Sequence, residues 1–177
     1  LKILLLCHKT PYPPNDGGAI ASLNMIKGFS AFNDELTVLS MQTPKHSFPV
    51  DQIPNELKLN IRWNQVFVDT SIKPIKLLLN FFFSNKPFNA VRFISKQYDT
   101  KLKEILLLNQ FDIVQLEGAY LGSYVNTIRK LSKAKISLRA HNIEHEIWER
   151  LANNEKSVLK SFYFKRLAKR VKLLEQK

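Results

Sequence analysis

The sequence predicts an α/β protein with a Rossmann-like, doubly wound, mainly parallel sheet and helices on both faces. Three observations lead there. Short apolar runs of strand length recur: Lys2 to Cys7 (KILLLC), Glu35 to Met41 (ELTVLSM), Leu59 to Val68 (LNIRWNQVFV), Phe111 to Leu116 (FDIVQL) and Lys135 to Arg139 (KISLR). Several are apolar almost throughout, as in strands covered on both faces. Between them lie segments whose apolar residues fall at helical spacing, and this alternation lays strands side by side in parallel with helices as crossovers.

Each element has its own local reason. After the first strand, Pro11, Pro13 and Pro14 enforce a rigid, extended loop. Gly17-Gly18 follows, and Ile20, Leu23, Ile26 and Phe29 then step by three or four residues, the period of a helix with one buried face. Asn33-Asp34 is a turn signal before the second strand, completing a strand, helix, strand unit. Thr43 to Glu56 carries three prolines among polar residues and reads as a long irregular connection to the third strand. Helices are expected over Pro74 to Ser84 and Lys96 to Asn109, the latter with Tyr98, Leu102, Ile105 and Leu106 in register. Tyr120 to Leu131, Ile143 to Ala152 and the segment from Glu155 onward complete the helical set.

With 177 residues, 45% of them hydrophobic, the chain can bury one sizeable core and reads as one compact domain. Its single cysteine, Cys7, lies in the first strand. That excludes a disulfide framework and makes a reducing, cytoplasmic setting the simplest expectation. The longest apolar stretches, Lys2 to Cys7 and Leu77 to Phe83, fall far short of the roughly 20 residues of a spanning helix. The start runs into His8 and Lys9 without a small-residue cleavage site, so no secretory signal is expected. The formal charge is +12, and half of it sits between Glu155 and Lys177, where eight Lys or Arg face two Glu. Such a run is a solvated face in the plain reading and an attractor of anionic lipid or phosphorylated ligands in the functional one. No nucleic-acid module is recognisable.

In a doubly wound sheet, ligands bind beyond the carboxyl ends of the strands. Three loops qualify: His8 to Gly18, Glu117-Gly118, and Ala140 to Glu144. Gly17 and Gly18 can take positive φ and, at a helix start, expose free N–H groups, which makes either an anion seat suited to phosphate or a tight turn. The glycine pair is neither the G-x-G-x-x-G dinucleotide fingerprint nor a P-loop, which argues against hydride transfer and nucleotide hydrolysis. In RAHNIEHEIWE, His141 ends the fifth strand, where it is either a structural residue or a group facing a polar substrate. Asn142 is placed to cap the next helix, with Glu144 and Glu146 near its positive end. His141, Glu144 and His145 also spell H-x-x-E-H, the pattern of a zinc hydrolase, but the first histidine ends a strand and would not share a helix face with the second. Asp16, Glu117 and Glu144 are carboxylates that could converge, and Cys7 reads as core rather than nucleophile.

Taken together, KILLLCHKTPYPPNDGGAIAS, FDIVQLEG and LRAHNIEHEIWERLA resemble, in order and over nearly the whole chain, the amino-terminal half of a GT-B glycosyltransferase of the retaining family 4 type. That resemblance implies two Rossmann-like domains facing across a cleft, the first holding mainly the acceptor and the second most of the nucleotide sugar. It matches Gly17 and Gly18 to the loop that approaches the donor diphosphate and His141 to the histidine beside the reacting sugar. Asp16, Glu117, Arg139, Asn142 and Glu144 fall at cleft-lining positions. Residues 1–177 would then be the acceptor-side domain, with the donor domain and its paired-glutamate motif absent and no transferase activity alone. The expected partners are a nucleotide sugar as co-substrate, a glycan or lipid-linked acceptor, the protein's own carboxyl-terminal domain and an anionic membrane surface. Nucleic acid, metal and further cofactors are not expected. Lys73, Lys76, the Leu77 to Phe83 run and the basic terminal helix suggest a peripheral position at the inner face of the cell membrane, although a buried helix explains the aromatics equally well. A non-catalytic phospho-ligand module on the same sheet is the alternative, with the zinc hydrolase behind it.

Overall fold

A computed structural model describes residues 1–32 and 34–176. The elements run β1 (Lys2–Cys7), α1 (Gly17–Ala31), β2 (Glu35–Gln42), β3 (Ile61–Phe67), α2 (Pro74–Phe83), α3 (Phe88–Val91), α4 (Lys96–Leu108), β4 (Ile113–Glu117), α5 (Val125–Leu131), β5 (Lys135–Arg139), α6 (Glu144–Asn154) and α7 (Val158–Glu175). Single 3₁₀ turns at Val50–Gln52 and Asn55–Leu57 punctuate the proline-rich connection, and Ala119–Tyr124 forms a 3₁₀ segment leading into α5.

Alternation along β1 builds the two layers. Ile3, Leu5 and Cys7 point to one face and pack with Ile26 of α1 and Leu36 and Val38 of β2. Leu4 and Leu6 point to the other, where Tyr98, Leu102, Ile105 and Leu106 of α4 and Ile128 of α5 cover them. The apolar runs therefore mark strands sandwiched between helices, as expected. All pairings are parallel and the strand order is β3-β2-β1-β4-β5. This is the Rossmann-like doubly wound arrangement: the chain winds outward in one direction from β1 to β3, then returns past β1 to β4 and β5. The reversal opens a crevice above the carboxyl ends of β1 and β4, where Cys7 pairs in register with Glu117.

Several expectations need correction. The third strand begins at Ile61 rather than Leu59, because Asn60 takes a left-handed φ of 61° that interrupts the extended run. The fourth begins at Ile113 and reaches Glu117, which makes Glu117 a strand residue rather than part of a loop. Part of the Asn33-Asp34 turn signal, Asn33, lies outside the described residues; the Asp34 carboxylate lies 2.8 Å from the Leu1 backbone nitrogen. The buried-helix reading of Leu77 to Phe83 is overturned, since no residue of α2 is buried. Along the terminal helix the apolar residues divide: Leu167 and Val171 are core, whereas Leu159 and Phe162 are exposed. No described helix is long and apolar enough to cross a membrane.

Tyr98 bridges the layers. Its ring is wholly buried and its hydroxyl donates to the Leu39 carbonyl of β2 at 2.9 Å. Tyr98→Phe removes that bond and leaves a buried carbonyl short of one donor, so it should destabilise the fold by about 1–2 kcal/mol in urea unfolding with little change in slope.

Candidate functional site

Glu117 is the hub of the crevice. A carboxylate this deeply buried, 1% exposed, is costly unless it is paired and hydrogen-bonded. Its Oε2 accepts from Ser22 Oγ of α1 at 2.7 Å and from Arg139 Nε and Nη2 of β5 at 3.0 and 2.5 Å. Its Oε1 accepts from Gln115 Nε2 at 3.0 Å. Arg139 also donates to the Ala21 carbonyl at 3.3 Å and to Ser22 Oγ at 3.2 Å, so the guanidinium ties β4, β5 and α1 together.

Two imidazoles flank this hub. His141, two residues past the end of β5, holds Nε2 3.4 Å from the same Glu117 Oε2. His8, one residue past β1, has Nδ1 2.8 Å from the Glu117 carbonyl and donates to it in the tautomer protonated there. Burial lowers the His8 pKa from its ordinary value, outweighing the carbonyl bond that raises it; the positive charge of Lys9 lowers it further. Gly118 makes the approach of His8 feasible. Its φ is +106°, and an added Cβ would stand 3.1 Å from His8 Nδ1. Phe93 packs edge-on against His8 at 5.7 Å and stacks on Tyr120 at 5.5 Å, and the Tyr120 hydroxyl donates to Glu144 Oε2 at 3.1 Å.

Gly18, Ser22, Glu117, His8 and His141 line one small pocket of about 10 Å³, room for about one water. Next to it, sharing Lys9 and Ala19, lies a 360 Å³ hollow bounded by Tyr12, Lys45, His46 and Phe48. A larger hollow of 770 Å³ lies at the opposite, amino-terminal edge of the sheet, around Lys2, Asp34, Asn60 and Leu108. It lacks both the convergent strand ends and a buried charged group, so size alone does not locate the site.

The glycine pair stands at a helix start, as expected, but does not use the positive φ open to glycine. Gly17 and Gly18 are the first residues of α1, and among the described glycines only Gly118 has positive φ. Space is what Gly18 provides: an added Cβ would come within 3.3 Å of Asp16 Oδ1 and 3.7 Å of Lys9 Nζ. Asp16 itself caps the helix, accepting from Ala19 N at 2.9 Å, and pairs with Lys9 at 2.5 Å. Lys9 and the Ala19 amide together hold the Asp16 carboxyl at about 2, below its ordinary value. The α1 start therefore already carries a carboxylate. The Gly17 and Gly18 amides have no protein acceptor among the described hydrogen bonds, and these are the donors left for a ligand.

The three carboxylates expected to converge are separated by their partners: Asp16 goes to Lys9, Glu117 to Arg139 and Glu144 to Tyr120. Asn142 is exposed and does not cap α6. Glu175, at the end of α7, does so instead, accepting from Glu144 N at 2.7 Å and His145 N at 3.4 Å and pairing with His145 Nδ1 at 2.5 Å. The H-x-x-E-H histidines thus face different carboxylates, and His141 precedes the helix that carries His145. Among the described residues no three His, Cys, Asp or Glu cluster to hold a metal ion. Cys7 is buried core, and burial pushes its thiol pKa up, away from nucleophilic character.

The structure brings residues from the three expected segments to one crevice and adds His8, Ser22, Phe93 and Tyr120, which the sequence does not single out. His8 could have been found as the first residue beyond the carboxyl end of the central strand. Ser22 lies one helical turn after Gly18 and so shares its face.

No family model matches the chain, and no solved structure matches it. Over 165 residues it is 24% identical to a Klebsiella pneumoniae protein described as "Uncharacterized 44.6 kDa protein in cps region". The match covers 92% of this chain and 39% of that protein, so the chain spans well under half of its relative's length.

Two predictions follow from this geometry. Gly118→Ala should cost about 1–3 kcal/mol in denaturant unfolding through backbone strain and the His8 contact, whereas Gly17→Ala, whose Cβ enters open space, should be near neutral. Because the folded pKa of Asp16 is depressed, its stabilisation is present above its unfolded value and drains away as pH falls toward about 2. Asp16→Asn should therefore flatten the acid limb of thermal stability in that window, by a modest amount because the side chain is 44% exposed.

Proposed function

We propose that this chain is the acceptor-side half of a GT-B type retaining glycosyltransferase, which transfers a sugar from a nucleotide-sugar donor to a glycan or lipid-linked acceptor in polysaccharide biosynthesis. One observation carries the reading. The Gly18 end of α1 and the His141 imidazole, distant in sequence, open into one pocket at the strand-order reversal, over a buried carboxylate that fixes its surroundings. The doubly wound sheet and the cps-region relative support it.

In this reading the leaving nucleoside diphosphate gathers negative charge as the glycosidic bond breaks. The Gly17 and Gly18 amides, fixed at the helix start with Lys9 close by, stabilise that charge without reorganising. The Asp16 carboxylate limits how closely a phosphate approaches, so the seat favours the oxygen that faces the two glycines. The pocket itself has room for about one water, so the reacting sugar lies at its mouth, where His141 orients it, with Glu117 and Arg139 as the floor beneath. The His8, Phe93 and Tyr120 group walls the crevice on the β4 side. The remaining donor contacts belong to a second domain in this proposal.

The test is turnover of a nucleotide-sugar panel by the complete natural protein containing this chain, and by its His141→Ala variant. Activity falling by roughly 10²-fold or more, with unchanged thermal stability, is expected. Turnover indifferent to His141, or none with any nucleotide sugar, overturns the reading. Calorimetric binding of nucleotide sugar without turnover would favour the non-catalytic phospho-ligand module instead.

A further inference from the structure

α2 is rich in apolar residues yet has none that is fully buried. Ile75, Leu78, Phe82 and Phe83 are between 60% and 83% exposed, and the first turns of α7 extend the same surface with Leu159 at 83% and Phe162 at 59%. Phe81 joins the helices, its ring 6.2 Å from Phe162 and 5.7 Å from Tyr163, with the Arg166 guanidinium 5.0 Å over its face. Arg170 donates to the Phe81 carbonyl at 2.8 Å and the Asn80 carbonyl at 3.3 Å. One side of α2 is therefore clamped to α7 while its large apolar side chains face outward. A contiguous patch of this kind marks an interaction surface.

Its rim specifies the partner. Lys73, Lys76 and Lys86 border α2, and Lys160, Lys165 and Lys169 lie along α7, all exposed. Between residues 69 and 86 and between 156 and 170 the only acid is Asp69, already paired with Lys73 at 2.9 Å. Exposed Phe, Leu and Ile surrounded by lysines complement a surface that is apolar below and anionic at its edge, the profile of a bilayer with acidic head groups. A second copy fits poorly, because an isologous contact would press the lysine rim against itself.

We propose that the α2 face and the start of α7 seat the chain on an anionic lipid bilayer, with the phenyl and aliphatic side chains at the acyl boundary and the lysines at phosphate level. The Ser161 hydroxyl near the start of α7 donates to the Ala152 carbonyl near the end of α6, while Glu175 reaches back to the start of α6, so the two helices run antiparallel. α6 spans 11 residues, about 16 Å, which sets the scale of separation between the seated end of α7 and the His141 turn. This inference extends the transfer reading without depending on it.

Sedimentation of the complete natural protein containing this chain with phosphatidylcholine vesicles, with and without phosphatidylglycerol, tests it directly. Binding should require phosphatidylglycerol, weaken steeply with salt, and fall by about tenfold or more in Phe82→Ser/Phe83→Ser. Lys73→Glu/Lys76→Glu should abolish the lipid selectivity, and both variants should keep the parent melting temperature because α2 contributes nothing to the core. Absence of binding at low salt, equal binding to neutral vesicles, or a concentration-dependent dimer that Phe83→Ser dissolves would overturn the proposal. None of these readouts involves sugar transfer, so their failure leaves the transfer reading untouched.

Discussion

The arrangement above the sheet depends on one buried charge. Glu117 ends the strand beside β1 and lies almost entirely out of water, so the fold must supply donors to it from every side. Arg139 comes from the neighbouring strand, Ser22 from the first helix and Gln115 from two residues earlier on the same strand. Each donor belongs to an element that borders the crevice. Satisfying the carboxylate therefore fixes the relative positions of α1, β4 and β5; His141 sits beside the same carboxylate, and His8 is held by the main-chain carbonyl of Glu117.

That dependence explains why the crevice is so confined. The Gly118 backbone turns into a conformation few residues tolerate, and His8 fills the room a side chain would have taken. His8, backed edge-on by Phe93, leaves space for about one water between the helix start and His141. The wider 360 Å³ hollow beside it, with Tyr12 and Phe48 edge to face and Lys45 and His46 on its wall, has the room for a larger polar group.

Much of this was legible in the residues. The apolar runs of β1, β2 and β4 announce strands covered on both faces, and the segments beyond the carboxyl ends of the strands follow from topology alone. What escaped is what depends on distant partners. The helical φ of Gly17 and Gly18 was hidden because glycine permits both readings, and Asp16 decided between them by capping α1. Asn142 looks like a cap by type, yet a carboxylate 31 positions beyond Glu144 takes that place. The exposure of α2 was equally invisible, since a run such as LLLNFFF reads alike whether it faces a core or the outside.

Glu175 has a mechanical side. By gripping the first amides of α6 from the far end of α7, it ties the start of one helix to the end of the other. The antiparallel pair is thereby closed at both ends, by Ser161 on the Ala152 carbonyl and by Glu175 on the Glu144 and His145 amides, the second closure lying beside the turn that carries His141.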